Sequence, residues 1–433
     1  MKLLFSGIAV AAIATGVSAS ASVEEAAALV ESGRLDEASA ILNDSKDPAR
    51  YLWQGRIAFL RYDFDKAGSL YGQYRKAMGK GSPAPEASVF SRQLNLADQA
   101  LESVAEIEVI DSVTVPTASF LNAFRLPASA GRLAEADEVP VDGRSQIASS
   151  VFFNERGDFA MWAEPDTTGV YRIAESTRLT DGSWSEPRLA DEILNGGGDT
   201  DYPFMCADGT TLYFASDGED SMGGFDIFMA TRDASDGEYL KPRNIGMPFN
   251  SPYDDFMMVV DEENGVGWWA TDRNRLGDRL TIYIYKLTDS RTNIDPDDEN
   301  LLDLARLSDI SMTQDPETDY TPLRRSLMNV SQGRPRKPVD FHFYMPGRGM
   351  LTSFGDLRSA EGRRLMKEYM AAEKELSENS AELHDLRRRY REAVGAGGRQ
   401  ALSSDIRRLE NSRTELRNAV KSLRNRVIEA ERR

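Results

Sequence analysis

The chain has 433 residues, 41% of them hydrophobic, and a formal net charge of −18. This length exceeds one ordinary hydrophobic core, so about two to four folded units are expected. Residues 357–433 carry 19 Lys and Arg against 13 Asp and Glu, which leaves 33 basic and 57 acidic residues in 1–356. An acidic body with a basic tail argues against nucleic-acid binding by the body.

Residues 1–21 have the features of a secretory signal peptide. Lys2 precedes a short apolar run, residues 3–14, and small residues follow that allow cleavage after Ala19 or Ala21. The run is too short to span a bilayer, and no second apolar span follows it. We therefore expect an exported, soluble mature chain with no transmembrane segment, in the periplasm or associated with the outer membrane.

Residues 22–106 are predicted to form short paired helices, because apolar residues recur there at helical spacing. The pair at 51–64 and 65–79 resembles a tetratricopeptide repeat, and a plain helical bundle is the alternative. The matching residues are Trp53, Gly55, Ala58, Tyr62, Ala67 and Tyr71. A third helix is expected at 85–107, with an apolar stripe formed by Val89, Phe90, Leu94, Leu101 and Val104.

Residues 107–356 contain a repeat of about 50 residues, the period of a β-propeller blade. Strands ending in an aromatic residue and alanine occur at 162–163, 214–215 and 269–270, and each is followed by a second strand. The glycine-rich stretch 208–228 is therefore predicted to be a hairpin, in which Gly218, Gly223 and Gly224 adopt unusual backbone angles. Residues 291–340 form an irregular insertion with two short helices. We expect 339–354 to pair with 107–116 as a last blade.

The stretch PFMCADGTTLYFASDGEDSMGGFDIFMATR resembles the WD40-like (PD40, TolB-type) propeller repeat. Residues 107–116, 241–256 and 267–274 are similar to envelope proteins of Bacteroidetes in which tetratricopeptide repeats precede a propeller, as in type IX secretion-associated components. The resemblance covers about residues 23–290 and implies a scaffold linked to secretion or outer-membrane assembly. The chain departs from that set in two ways, since it has no lipobox cysteine and no OmpA-like peptidoglycan-binding domain.

Residues 357–433 show two heptad runs, which predict an antiparallel coiled-coil hairpin that turns at the glycine-rich segment 395–398. Asn379 and Arg413 are the polar residues of the two seams, and the hairpin is expected to place them opposite one another. A basic cluster near the turn is a candidate partner-binding site. It contains Arg387, Arg388 and Arg389.

Acidic residues in the 208–228 hairpin are the candidates for a metal site, because carboxylate oxygens suit calcium. They are Asp217, Glu219, Asp220 and Asp226. Their spacing does not match an EF-hand loop, so a structural role in the turn is favoured over a bound cation, and no cofactor is expected.

Catalytic motifs are hard to assemble from this sequence. Cys206 is the only cysteine, and the only histidines are His342 and His384, neither of them in a recognisable catalytic frame. The sequence therefore predicts a multidomain α+β, non-enzymatic scaffold that binds envelope proteins. A glycan- or peptidoglycan-binding propeller is one alternative, for which exposed aromatic residues at a rim are the candidates: Trp184, Tyr239 and Trp268. A carboxylate-dependent hydrolase is the other.

Overall fold

The computed structural model describes residues 19–79, 83–141, 149–233, 238–329, 341, 343–345, 349–351, 353–392 and 396–432. The expected signal peptide falls almost entirely outside them. The chain divides into two compact units, Met1–Gln332 and Gly333–Arg433. The first unit combines helices with antiparallel sheets, and the second contains a small hairpin and two long helices.

The predicted N-terminal helices are present. They are α1 (Ala19–Glu31), α2 (Leu35–Asp44), α3 (Arg50–Leu60), α4 (Phe64–Met78) and α5 (Pro85–Leu101). The Asp63 side chain caps α4 by accepting a hydrogen bond from the Lys66 amide. On α5, Phe90 and Leu94 are buried as expected, but Val89 is 40% exposed. The buried face of α5 continues through Ala87, Gln93 and Ala97 instead.

Three antiparallel sheets follow, and β1 (Val109–Pro116) precedes them along the chain. The first sheet contains β2 (Arg132–Glu135), β3 (Ser150–Phe153), β4 (Phe159–Pro165), β5 (Tyr171–Thr177) and β6 (Arg188–Leu189), in that order. After α6 (Glu192–Asn195), the second sheet contains β7 (Thr200–Met205), β8 (Thr211–Ser216), β9 (Asp226–Thr231) and β10 (Arg243–Asn244). The third contains β11 (Asp255–Asp261), β12 (Val266–Thr271) and β13 (Arg279–Lys286), with β1 beside β13.

The strand register confirms the repeat that the sequence indicated. The equivalent pairs in the three sheets are Ala163–Ile173, Ala215–Ile227 and Ala270–Ile282. The aromatic residue before each alanine is also buried, with Trp162, Phe214 and Trp269 at most 3% exposed. The stretch 208–228 forms the β8–β9 hairpin, as predicted.

The expected last blade is wrong. Strand β1 pairs with β13 from Val109 to Pro116, whereas the described part of residues 339–354 contains the separate β14–β15 pair (Phe343–Met345 and Gly349–Leu351). Strand β1 pairs with β13 because β13 has an otherwise unpaired edge of the same length, and pairing satisfies the backbone groups of both strands.

The segment after β13 lies across the other edge of β1. It contains α7 (Leu301–Arg306) and α8 (Thr321–Asn329), so the two short helices predicted there are present. Gln314 Nε2 donates to the Val109 carbonyl oxygen at 2.7 Å, and Arg324 Nη2 donates to the Ile110 carbonyl oxygen at 2.6 Å. These bonds satisfy acceptors that an exposed edge strand would leave for water or another chain.

In the second unit, β14 and β15 pack on the base of a helical hairpin formed by α9 (Ala360–Glu392) and α10 (Ala396–Arg432). Helix α10 begins at Ala396 and includes Gly397 and Gly398, so these residues of the predicted turn 395–398 are helical, and position 395 lies outside the described residues. Leu386 and Leu409 share one core cluster, as the heptads predicted. The Asn379 side chain is buried, but its Oδ1 has no hydrogen-bond partner among the described residues, so Arg413 does not pair with this oxygen.

Candidate functional site

The acidic β8–β9 loop is organised by Asp226, which is fully buried. Its carboxylate accepts hydrogen bonds from the Met222 amide at 2.8 Å, from the Gly223 amide at 3.0 Å and from Asn244 Nδ2 at 2.6 Å. Burial raises the pKa of Asp226 to about 7, although these hydrogen bonds act in the opposite direction. Asp226 therefore fixes the loop onto its own sheet.

The other three candidate carboxylates do not join Asp226. Asp217 Oδ1 accepts a hydrogen bond from the Asp199 amide at 2.7 Å, which links the loop to the segment before β7. Glu219 and Asp220 are exposed on the loop. Within the described ranges, no three or more His, Cys, Asp and Glu side chains are grouped so that they could hold a metal ion.

The glycines of this loop allow the backbone to pack closely against neighbouring backbone. They do not adopt the unusual backbone angles that the sequence analysis predicted. None of Gly218, Gly223 and Gly224 has a positive φ. A Cβ atom on Gly223 would lie 2.3 Å from the Tyr253 carbonyl oxygen, and one on Gly218 would lie 1.9 Å from the Gly197 carbonyl oxygen. The loop therefore packs backbone against backbone with neighbouring segments.

Two of the three expected rim aromatics are buried. Trp268 is 2% exposed and Tyr239 is 7% exposed, so neither can present a stacking face to a glycan. Trp184 is half-buried, with its ring edge-on to Phe153 at a centroid distance of 6.0 Å. The sequence interpretation failed because strand alternation does not reveal which face a neighbouring sheet covers.

An exposed apolar surface does exist at the outer edges of the first two sheets. The Tyr239 amide lies 3.5 Å from Asp191 Oδ2, which brings the two edges together. Large apolar residues two positions to either side of Asp191 and one position after Tyr239 are exposed by 53%, 43% and 58%, respectively: Leu189, Ile193 and Leu240. We call these three residues the outer-edge patch. Sequence reasoning missed it because it depends on the approach of two sheets.

The predicted basic cluster lies on α9. Arg389 is exposed, whereas the side chains of Arg387 and Arg388 lie outside the described part of the chain. Of the two histidines, His342 lies outside the described residues, and the same holds for the side chain of His384, which belongs to α9.

A second surface feature is a cleft of about 340 Å³ in the first unit, between the N-terminal helices and the third sheet. We call it the Arg306 cleft. It is lined by Leu60, Tyr62, Tyr253, Arg273, Asn274, Arg306, Leu307 and Ser308. Sequence reasoning missed this cleft, and the polar residues Arg273 and Asn274 just after β12 are the local signal that could have indicated it.

Arg273 supports the wall of the cleft from inside the protein. Its guanidinium donates to Asp255 Oδ1 at 2.7 Å and to the carbonyl oxygens of Phe249 and Pro248 at 2.7 and 2.9 Å. Burial alone would lower the pKa of Arg273, but the Asp255 carboxylate raises it above its ordinary value. Because its donors are occupied by the protein, Arg273 is a structural residue.

Comparison of the chain with family models, with curated proteins and with solved structures found no match. Among the helices that the structure describes, none combines the length and the apolar character needed to cross a bilayer.

Proposed function

We propose that this protein is a non-enzymatic exported scaffold of the Gram-negative cell envelope that binds other envelope proteins. In this proposal the three sheets form a WD40-like propeller platform, and the N-terminal helices are tetratricopeptide-like. The helical hairpin of the second unit provides a further docking arm. The sequence resemblance motivates these assignments, and the contacts of the first unit support them.

The outer-edge patch is the observation that carries the proposal. Single exposed apolar residues are common on protein surfaces, whereas several large ones exposed close together are typical of interaction sites. Leu189 lies in the edge strand β6, whose outer backbone groups are available for pairing with another chain. The patch therefore suits a protein partner better than a small polar ligand.

The N-terminal helices are fixed to the sheets, as a scaffold requires. Gln93 Nε2 donates to the Gly223 carbonyl oxygen at 2.7 Å in a buried contact, and the Tyr253 hydroxyl donates to the Leu60 carbonyl oxygen at 2.7 Å. Met222 and Met247 from the sheet region also belong to the core cluster of the helices. Helices and sheets can thus present their surfaces in a fixed geometry.

The alternative functions receive less support from the site geometry. The glycan-binding alternative required exposed aromatic rings, and two of its three candidates are buried. The hydrolase alternative requires two carboxylates facing a substrate. Asp226 and Asp254 instead use their oxygens to hold backbone amides of the β8–β9 region.

The experiment is crosslinking in intact cells with a photoreactive amino acid placed at Leu240, at Leu189 or at the exposed control position Glu262. We expect discrete protein adducts from the two patch positions and none from the control. Leu240→Ser should reduce the adduct formed from position 189 by about tenfold, as loss of an interface hot spot does. Leu276→Ser, a matched change of a 44% exposed leucine elsewhere, should leave it unchanged. Equal crosslinking from all three positions would contradict the proposal.

A further inference from the structure

We propose that the Arg306 cleft binds the terminal carboxylate of a peptide chain whose last residue is apolar. This inference goes beyond the scaffold function and does not depend on the outer-edge patch.

The cation of the cleft is Arg306, at the end of α7. Its side chain is exposed, and its guanidinium carbon lies 5.9 Å from the centre of the Tyr62 ring. Arg306 forms no ion pair or hydrogen bond with the residues that the structure describes. The nearest acid on its own helix, Asp303, accepts a hydrogen bond from Ser308 Oγ at 2.9 Å. Arg306 is thus positioned by an aromatic ring while its hydrogen-bond donors remain available.

Two further arginines near the cleft are each paired with an aspartate, so these pairs add no net charge to it. Arg275 lies over the Tyr253 ring at 5.4 Å and is paired with Asp272, and Arg273 is paired with Asp255. Because these acids are already engaged, the free guanidinium of Arg306 is the group that an incoming carboxylate would meet. An arginine guanidinium binds a carboxylate through two parallel hydrogen bonds.

The rest of the cleft supplies an apolar surface. Leu60 and the ring of Tyr253 are half-buried and contribute accessible apolar surface, whereas Tyr62 and Leu307 are 3% and 5% exposed and form the floor from the core. A small apolar side chain next to the carboxylate fits this surface. The volume of about 340 Å³ lies at the lower end of the range for ligand pockets, and so suits one or two residues rather than a long segment.

The backbone around the cleft is strained at two positions. Tyr62 has a φ of 63° and Leu307 a φ of 56°, a left-handed conformation that is unfavourable for a residue with a side chain. Glycine would remove this cost at either position. Both side chains are instead buried in core clusters, Tyr62 with the N-terminal helices and Leu307 with the third sheet, so the wall of the cleft is held in place by core packing.

The test is a titration of the full chain, methyl-labelled at leucine, with the tripeptide acetyl-Ala-Ala-Leu as the free acid and as its C-terminal amide. We expect the acid to shift the methyl resonances of Leu60 and Leu307 in a saturable manner, and the amide to bind at least about tenfold more weakly. Equal binding of acid and amide would overturn the proposal, as would unchanged Leu60 and Leu307 resonances.

Arg306→Gln should weaken binding of the acid by about tenfold or more, whereas Arg306→Lys, which keeps the charge but not the planar fork, should weaken it less. Arg325→Gln is the matched control, because Arg325 is an exposed arginine on α8 that does not line the cleft. Undiminished binding by Arg306→Gln would also overturn the proposal. The methyl spectrum of each variant without peptide shows whether it is folded, so loss of binding is separable from loss of structure.

Discussion

Asn195 and Asn250 make the same hydrogen bonds in consecutive sheets. Asn195 Oδ1 accepts from the Ile173 amide at 2.8 Å and its Nδ2 donates to the Ile173 carbonyl oxygen at 3.1 Å. Asn250 repeats both contacts with Ile227 at 2.8 and 2.9 Å. Each asparagine lies in the segment that enters the next sheet, so it attaches that segment to a strand of the preceding sheet, β5 for Asn195 and β9 for Asn250.

An aspartate four residues later completes each link. Asp199 Oδ1 accepts from the Tyr171 amide at 2.8 Å, and Asp254 Oδ1 accepts from the Phe225 amide at 2.9 Å. The repeat is therefore preserved in the polar contacts between sheets as well as in the strands.

Replacing Asn250 by alanine should lower the free energy of unfolding of the first unit by about 2–4 kcal/mol. The Asn250 side chain is fully buried, and its removal leaves the Ile227 amide without a partner. It also removes one of the two hydrogen bonds to the Ile227 carbonyl oxygen, which keeps the bond from the Ile245 amide at 3.1 Å. The measurement is urea unfolding followed by tryptophan fluorescence, since all five tryptophans lie in the first unit. Asn300→Ala, a change at an exposed asparagine, should cost less than about 0.5 kcal/mol. Equal losses of stability in the two variants would show that the hydrogen bonds of Asn250 do not stabilise the first unit.

Phe214→Ala should destabilise the first unit by about 3–5 kcal/mol, because the ring is 3% exposed and stacks on Phe228 at a centroid distance of 5.7 Å. The same fluorescence assay measures the effect. Phe214→Leu, which keeps most of the apolar volume, is the control and should cost less than half as much. A fully stable Phe214→Ala variant would contradict the burial of this position between packed sheets.

Asp254→Asn should stabilise the first unit at pH 7.5 by about 1–2 kcal/mol and have little effect at pH 4. Burial raises the pKa of Asp254 to about 7, and the nearby Asp272 carboxylate adds to this. A carboxyl whose pKa is raised by folding favours the folded state below its unfolded pKa near 4. That contribution is lost as the pH rises through about 7.

The asparagine variant keeps the acceptor for the Phe225 amide but cannot ionise, so its stability should fall less between pH 4 and 7.5 than that of the parent. Urea unfolding at several pH values measures this difference. The control Asp289→Asn, at an exposed site, should leave the pH profile unchanged. The raised pKa of Asp254 would be refuted if the stability of the parent rose between pH 4 and 7.5 and that of Asp254→Asn rose by the same amount.

Glu431→Ala should loosen the base of the helical hairpin by about 1–2 kcal/mol. The Glu431 carboxylate accepts hydrogen bonds from the amides of Arg358 and Ser359 at 2.8 and 2.9 Å, just before α9 begins. Faster hydrogen exchange of these two amides would show the effect directly. Glu429→Ala, at an exposed position two residues earlier, should leave their exchange unchanged. Unchanged exchange in Glu431→Ala would mean that the carboxylate does not cap the helix.

Cleavage of the exported chain should occur after Ala19 or Ala21. N-terminal sequencing of the protein from an envelope fraction tests this, and a mature protein that retains Met1 would contradict export through a cleaved signal peptide. The buried residues Val23, Ala26 and Val30 lie beyond both cleavage positions, so the packing of α1 on α2 survives removal of the leader.

Features with a local period were predictable from the sequence. The five N-terminal helices follow from apolar spacing, and the β8–β9 hairpin follows from the repeat of strands and turns. The shared core position of Leu386 and Leu409 likewise follows from the heptads. In each case the conformation depends on residues close together in the sequence. The pattern of apolar residues repeats several times, so it can be recognised.

Features that depend on which surfaces meet were decided only by the tertiary structure. Strand β1 has the same alternating pattern whether it pairs with β13 or with residues 339–354, and the open edge of β13 selects the former. Trp268 has the residue type of a ligand-stacking position, yet it is buried in the hydrophobic core of the sheets. Arg306 becomes a candidate site only because the turn at Tyr62 and the end of α7 come together. These pairings join residues far apart in the chain, and no local pattern encodes them.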